Sequence, residues 1–425
     1  MLYSALLLLA ALFGAPIFIV IAASALLGFY YADIDLSVIA IEIYRMTDTS
    51  VLVAIPLFTF AGYLLSESNA SKRLVRLTDA LIGRVPSSLA LVSLTSCAFF
   101  TALTGASGVT IIALGALLYP ALKEAGYPQR FSLGLITSSG SLGLLFPPSI
   151  ALILYGIVAQ QLNVGPPVSI DDLFIAGLLP GLLMLALLAG WSIWTNRGLK
   201  LEASKFSLAD SLSAFRESIW EIPLPFVVLG GIYSGFLAIS EAAAISVLYV
   251  FIVEVFIYKE IKFAALPNIM RDSMVLVGAV LIILGVSMAS TNYLIDAEIP
   301  TRLFDFIKSH IDSKLTFLIL LNIFLLGLGM LLDIFSAIII IVPLILPIAV
   351  GYGVHPIHLG IIFLANMQIG YFTPPVGMNL FIASYRFKKP VTELYYATIP
   401  FMLVLFVAVL IITYWPALTL GLLQD

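Results

Sequence analysis

The sequence predicts an all-α polytopic membrane protein organised around two internal repeats, and three observations carry that prediction. Of the 425 residues, 61% are apolar and 10% charged, with a mean hydropathy of +1.13; soluble domains have about 45–50% and about 25%. The runs Val85–Leu122, Phe131–Ile170 and Ile334–Tyr385 contain no Asp, Glu, Lys or Arg, and a spanning helix needs only ~20 mostly apolar residues. Two stretches 227 positions apart carry matching prolines and glycines. A soluble core does not bury uncharged segments of such length in succession.

At the N-terminus, MLYSALLLLAALFGAPIFIVIAASALLGFYY has no basic segment ahead of its apolar run, which continues to Tyr31 without a charge. This pattern predicts an uncleaved first span rather than a signal peptide. The segment Ser71–Arg84 places basic and apolar residues at helical spacing, as an amphipathic helix on the cytoplasmic surface would. Basic residues collect in short polar stretches: Lys72, Arg73, Arg76 and Arg84; Lys123 and Arg130; Arg197, Lys200, Lys205 and Arg216; Lys259, Lys262 and Arg271; Arg386, Lys388 and Lys389. The positive-inside tendency puts these loops in the cytoplasm. Between them the ~20-residue criterion predicts roughly eleven spanning segments, with further segments that read as re-entrant. Trp191, Trp194, Trp220 and Trp415 read as interfacial anchors. Glu241 and Glu254 read as scaffold or partner contacts, and His355 and His358 as residues of a solvated loop.

Several chemistries are excluded. The single cysteine, Cys97, allows neither an internal disulfide nor a cysteine-based metal site. Three scattered histidines do not make a zinc centre, and no phosphate-binding loop of the G-x-x-x-x-G-K-[ST] type occurs. The chain reads as a non-enzyme.

The repeats are visible when YPALKEAGYPQRFSLGLITSSGSLGLLFPPSI is set against LPIAVGYGVHPIHLGIIFLANMQIGYFTPPVG. The offset superimposes Pro120 on Pro347, Gly126 on Gly353, Gly143 on Gly370 and Pro147–Pro148 on Pro374–Pro375. Each repeat opens with an apolar segment that reaches a short tip, LTGASGVT or GMLLDIFS. A returning segment and a polar connection follow, then a segment interrupted at the proline pair. This is the plan of a re-entrant helical hairpin followed by a discontinuous helix.

Proline removes a backbone donor and breaks a helix interior, and irregular backbone at membrane depth survives only when buried in protein or lining a wet cavity. A break exposes carbonyls suited to a cation at one half-helix and amides suited to an anion at the other. Paired breaks in two repeats point to the binding site of a secondary transporter. A kink between packed helices is the plainer reading of one such pair, but not of two in register. TSSGSLG (Thr137–Gly143) and ANMQIGYFT (Ala365–Thr373) precede the breaks and make Ser139 and Asn366 candidate site residues. Asp333 is the only Asp, Glu, Lys or Arg from Leu315 to Tyr385. An acid at such depth costs ~2.5 kcal/mol or more on insertion scales and is usually retained for ion handling, although it could also cap the segment after it. Its counterpart Ala106 carries no carboxylate, so a cation at the first tip would use neutral oxygens such as those of Thr104, Ser107 and Thr110. Such ligands suit sodium.

The stretches Val53–Leu65, Leu103–Gly115, Ser138–Gly156, Leu328–Ala349 and Ile369–Ser384 give the chain a close likeness over its full length. It resembles the large membrane subunit (M subunit, DctM-like) of tripartite ATP-independent periplasmic (TRAP) transporters. That resemblance implies the ion-transporter-superfamily elevator fold and import of a small organic anion coupled to Na+. The anion would be a C4-dicarboxylate, a sugar acid such as sialic acid, a keto acid or a sulfonate. It also implies a bacterial inner-membrane location, a periplasmic substrate-binding protein (P subunit) and a small four-helix membrane subunit (Q subunit). The implied transport domain comprises residues 85–165 and 313–390. Residues 1–84 and 166–312 would be scaffold, with a C-terminal helix in 391–425. Sodium sites carried over by resemblance involve Ser107, Gly108, Gly143 and Pro147 at one tip, and Asp333, Ser336, Gly370 and Thr373 at the other. Substrate would lie between the tips, near Thr110, Ser149 and Asn379. The chain departs from the family pattern at Ala106, Leu144 and Ile334. The competing reading is a stand-alone sodium-coupled divalent-anion transporter that needs no binding protein.

Overall fold

The computed structural model describes residues 7, 9, 10, 13–82, 87–199 and 208–423. Expectations resting on residues 1–6, on Arg84, Lys200 and Lys205, and on a domain boundary at 84–85 lie outside these. Regular structure among the described residues is wholly helical.

The chain begins with α1 (Ile17–Tyr31), α2 (Val38–Arg45), α3 (Ala54–Glu67) and α4 (Ala70–Ile82). The first repeat follows as α5 (Ser88–Thr104), α6 (Ser107–Glu124), α7 (Gln129–Ser139), a 3₁₀ turn over Leu142–Leu145, and α8 (Ile150–Leu162). Next come α9 (Ile170–Asn196), α10 (Leu208–Glu217), α11 (Pro223–Tyr233), α12 (Ile239–Phe251, continued by a π turn over Ile252–Ile257), α13 (Leu266–Asp296) and α14 (Ile299–His310). The second repeat is α15 (Lys314–Leu331), α16 (Ile334–Gly351), α17 (Pro356–Gly370) and α18 (Met378–Phe387), followed by α19 (Val391–Tyr414) and α20 (Ala417–Leu420).

Among the described residues, seven helical segments are long and apolar enough to cross a membrane, and α7 with α8 form an eighth candidate bent by 44°. Part of α1, α5, α11 and α17 are apolar but have fewer than 18 residues, and of these α5 ends at a tip and α17 at a break.

The repeat survives in the helix boundaries. Helices α6 and α16 both have 18 residues, with starts at 107 and 334 and ends at 124 and 351. Helices α5 and α15 end at 104 and 331, and α7 and α17 start at 129 and 356. The offset of 227 holds at each. Both proline pairs are joined by cis bonds. Each first hairpin arm packs on the first half of its own broken helix, α5 on α7 and α15 on α17. The return arms cross over: α6 packs on α18 and α16 on α8. The broken helices occupy the centre, and every residue of α17 is buried.

Close approach explains the two paired glycines. A Cβ on Gly143 would lie 2.3 Å from the Ala98 carbonyl and 2.4 Å from the Ala102 amide of α5. A Cβ on Gly370 would lie 2.4 Å from Gly329 Cα on α15. Ala102 and Gly329 are themselves 227 apart, so both breaks seat on the same point of their hairpins.

Helix α4 is not simply laid on a surface. Arg73 is 8% exposed and meets three carboxylates, bonding to Glu221, to Glu260 at 2.6 Å and to Glu254 at 3.2 Å, while its guanidinium lies 3.8 Å from the Tyr258 ring centroid. Burial pushes the Glu221 carboxyl above its ordinary range, and the Arg73 guanidinium pulls it only part of the way back. This cluster ties α4, which packs on hairpin arm α5, to the start of α11 and the end of α12. Glu254 thus contacts Arg73 of α4, and Glu241 accepts from the Ala238 amide at 2.9 Å. His355 caps α17 through the Ile357 amide. His358 is not in a solvated loop; it is 3% exposed, with Thr419 Oγ1 at 2.8 Å and the Thr413 carbonyl at 3.2 Å. Its place one turn inside an all-buried helix accounts for that.

Candidate functional site: two hairpin tips against two helix breaks

The first tip is Gly105–Ala106, between α5 and α6. Gly105 adopts φ 68°, the left-handed region that closes a helix C-terminus. Ala106 is the N-cap of α6 and offers no side-chain acceptor to the free amides. Hydroxyls surround this tip instead. Thr101 Oγ1 donates to the Gly140 carbonyl at 2.8 Å and lies 2.7 Å from Thr110 Oγ1. Ser107 Oγ donates to Asn379 Oδ1 at 2.9 Å. Thr104 Oγ1 is buried with no partner, an oxygen free to meet a cation of the hard, oxygen-seeking kind.

The second tip is Leu332–Asp333, between α15 and α16. Asp333 is the N-cap of α16, and its Oδ1 accepts from the Phe335 and Ser336 amides, each at 3.0 Å. Its Oδ2 accepts from Ser336 Oγ. The capping role is therefore present, and the carboxylate still has lone pairs to spare. The Tyr371 phenol, at the end of α17, accepts from the Ile334 amide at 2.6 Å.

At the breaks, hydroxyls donate to carbonyls near the interrupted helix ends. Ser149 Oγ donates to the Leu144 carbonyl at 2.6 Å and caps α8. Thr373 Oγ1 donates to the Ile369 carbonyl at 2.8 Å. Ser141 Oγ donates to the Gln368 carbonyl at 3.0 Å. The amide ends of α6, α8, α16 and α18 follow the tips and breaks. No lysine or arginine lies in the runs that form them, so a bound anion would be held by amides, hydroxyls and amide side chains, with the positive ends of helix dipoles in place of basic residues.

The structure gathers some expected residues and disperses others. Ser107, Thr110 and Asn379 converge on the first tip, and Asp333 and Ser336 form the second, beside Tyr371. Gly143 and Gly370 pack against the hairpin arms α5 and α15. Gly108 faces Ile382 on α18. Pro147 lines an apolar cavity of about 300 Å³ with Thr95, Phe99 and Leu182. Ser139 donates to the Ile136 carbonyl and lies against the buried thiol of Cys97. Asn366 belongs to another cluster: its Nδ2 donates to Asn322 Oδ1 at 2.6 Å, and Thr413 Oγ1 donates to that same oxygen at 3.2 Å. Asn366 sits one turn before Gly370 and donates to Asn322 on α15. Thr101 and Tyr371 were outside the expected set. Thr101 stands three positions before Thr104 on a helix face that already pointed at the tip, and that spacing could have found it.

The model of the family described as "Tripartite ATP-independent periplasmic transporter, DctM component" matches residues 2–418. The chain belongs to that family. The C4-dicarboxylate TRAP transporter large permease protein DctM of Rhodobacter capsulatus is 34% identical over 404 residues, 93% of this chain and 91% of that protein. The isethionate TRAP transporter permease protein DctMQ of Oleidesulfovibrio alaskensis is 32% identical over 408 residues, 95% of this chain but 63% of that longer protein. Among solved structures, the Alcanivorax borkumensis YdaH transporter aligns with a TM-score of 0.61 at 14% identity, over 87% of this chain and 85% of that one, a likeness of fold. This TRAP large permease subunit is accordingly a multi-pass inner-membrane protein, and the relatives it matches are transporter permeases rather than enzymes.

Proposed function

We propose that this TRAP large permease imports a small organic anion together with Na+, by an elevator movement of the two hairpins and two broken helices against the remaining helices. The observation that carries the reading is that a hydroxyl dresses a carbonyl at each break, Thr101 from the first hairpin arm on Gly140 and Thr373 on Ile369. Oxygen-only surroundings with one carboxylate, Asp333, suit a hard monovalent cation. In this reading the ligands of the first cation come from Ser107, Gly108, Gly143 and Pro147, and those of the second from Asp333, Ser336, Gly370 and Thr373. Thr110, Ser149 and Asn379 border the space for the anion. Residues 85–165 and 313–390 form the moving unit, and the Arg73 cluster belongs to the static one.

The relatives named for C4-dicarboxylate and for isethionate both handle small anions, which supports that substrate class. A periplasmic binding protein would deliver the anion, and a small membrane subunit would brace the static helices. The name DctMQ on a longer relative favours that second partner. The test is uptake into proteoliposomes holding this chain, the small subunit and the binding protein encoded beside it, with and without an inward Na+ gradient. Saturable uptake that needs all three proteins and Na+ is expected. Uptake by this chain alone would establish the stand-alone reading instead, and uptake indifferent to Na+ would overturn the coupling.

A further inference from the structure

We propose that Asn379 is a positioning residue that makes the two hairpin tips answer to one another, so that a cation at one tip raises affinity at the other. The inference rests on the sodium reading above and concerns how the two sites communicate.

Asn379 is fully buried near the start of α18. Its Oδ1 accepts from Ser107 Oγ of the first tip at 2.9 Å, and its Nδ2 donates to the Thr137 carbonyl of α7 at 3.4 Å. Its backbone amide donates to the Tyr371 carbonyl at 2.8 Å. The Tyr371 phenol in turn accepts from the Ile334 amide of the second tip at 2.6 Å, immediately after Asp333. One short path of hydrogen bonds thus runs from the residue beside the only carboxylate to the serine of the neutral tip. It passes through two residues of the second break.

The repeat relation shows that this path is not an inherited symmetric feature. Subtracting or adding 227 places Ser107, Tyr371 and Asn379 opposite Ile334, Leu144 and Leu152. Each of the three polar side chains has an aliphatic counterpart, so the link is built once, across the repeats. A buried amide that lost its partners would carry the full desolvation penalty of the unpaired groups, which argues against Asn379 as a casual occupant of an apolar position. Its side-chain amide holds Ser107 and Thr137 while its backbone amide holds the Tyr371 carbonyl, so a shift of Ser107 toward a cation pulls on Asn379 and, through the start of α18, on the Tyr371 contact to the second tip. Coupling of this kind is reciprocal between the two sites. The reading of Asn379 as a substrate ligand predicts no such effect on cation binding in the absence of substrate.

The test uses Na+ alone. The purified permease with its small subunit is titrated with NaCl at constant ionic strength, K+ replacing Na+, and followed by thermal unfolding midpoint and by ²²Na+ equilibrium binding. The wild-type isotherm is expected to be cooperative, with a Hill coefficient above 1. Asn379→Leu, which installs the counterpart residue, and Tyr371→Phe, which removes one oxygen, should each lower it to about 1 and raise half-saturation roughly fivefold. The double variant should add little, because both changes cut the same path. Should Asn379→Leu fail to fold, Tyr371→Phe decides. A non-cooperative wild type, or an unchanged slope in the variants, overturns the inference. A wild type indifferent to Na+ overturns the sodium reading itself, a different result.

Discussion

The Ser141 hydroxyl donates to the Gln368 carbonyl at 3.0 Å, and the two residues occupy the same position of the two repeats, 227 apart. The two broken helices therefore meet close to their breaks, Ser141 just past the end of α7 and Gln368 in the last turn of α17, and a side chain of one repeat satisfies a carbonyl of the other. A local disturbance at either break has no slack to absorb it.

Gly370→Ala tests that tightness. Its new Cβ would meet Gly329 Cα at 2.4 Å, and that of Gly143→Ala would meet the Ala98 carbonyl at 2.3 Å. Both obstacles are backbone, which cannot rotate away. Each substitution should cost about 1–3 kcal/mol as overpacking. The check is a lower melting temperature of the purified complex, with Gly190→Ala, which meets nothing within 4 Å, as the control.

Asp333 has two separable duties. Asp333→Asn keeps a good N-cap acceptor, so the tip should stay folded, while loss of the formal charge should raise the Na+ concentration for half-maximal uptake by about tenfold, a change of ~1.4 kcal/mol. Asp333→Ala should lose the cap as well, at about 1 kcal/mol of stability. If Asp333→Asn leaves the sodium dependence untouched, the residue is a cap alone.

Arg73→Met leaves Glu221, Glu254 and Glu260 without their shared cation. Removing one partner of a buried ion pair costs about 3–5 kcal/mol, so the variant should melt far earlier or fail to accumulate. The raised Glu221 pKa fixes a pH dependence. The folded state holds that proton more tightly than the unfolded chain, so the contribution is fully present below the ordinary carboxylate pKa and lost as pH rises through the folded value. Glu221→Gln should remove this term. Melting temperatures measured upward from about pH 4.5 should show the wild type losing stability relative to Glu221→Gln.

Asn366→Leu addresses a site assignment. It strands Asn322 Oδ1 on one side and should cost about 1–3 kcal/mol. Because Asn366 faces Asn322 and Thr413, the KM for the anion should move less than in variants of Thr110. A large KM change confined to Asn366 would return it to the substrate site.

Much of this architecture is legible in the sequence because it is periodic or conformational. Proline pairs and glycines mark the breaks by what their backbones forbid or permit, and the offset between them recurs in the boundaries of α6 and α16. Asp333 stands out because charge is scarce around it. Side-chain partners were not legible. Arg73 finds Glu221, Glu254 and Glu260 between 148 and 187 positions away, and Ser107 finds Asn379 at a separation of 272. Such pairings depend on how each helix is rotated about its axis when packed, which local composition does not encode. The same ignorance put His358 in solvent. An apolar run cut by a tip or a break also looks like a full span until its ends are located.

Cys97 is the chain's one cysteine, fully buried on the first hairpin arm. Natural sequence thus supplies a nearly silent background for thiol chemistry. A cysteine placed at Tyr385, 88% exposed on the second repeat's last half-helix, or at exposed Ser309 on α14, would be the one group within reach of a water-soluble maleimide. Spin labels or fluorophores at such a pair could follow the hairpins against α14 with every native residue of the tips and breaks left in place.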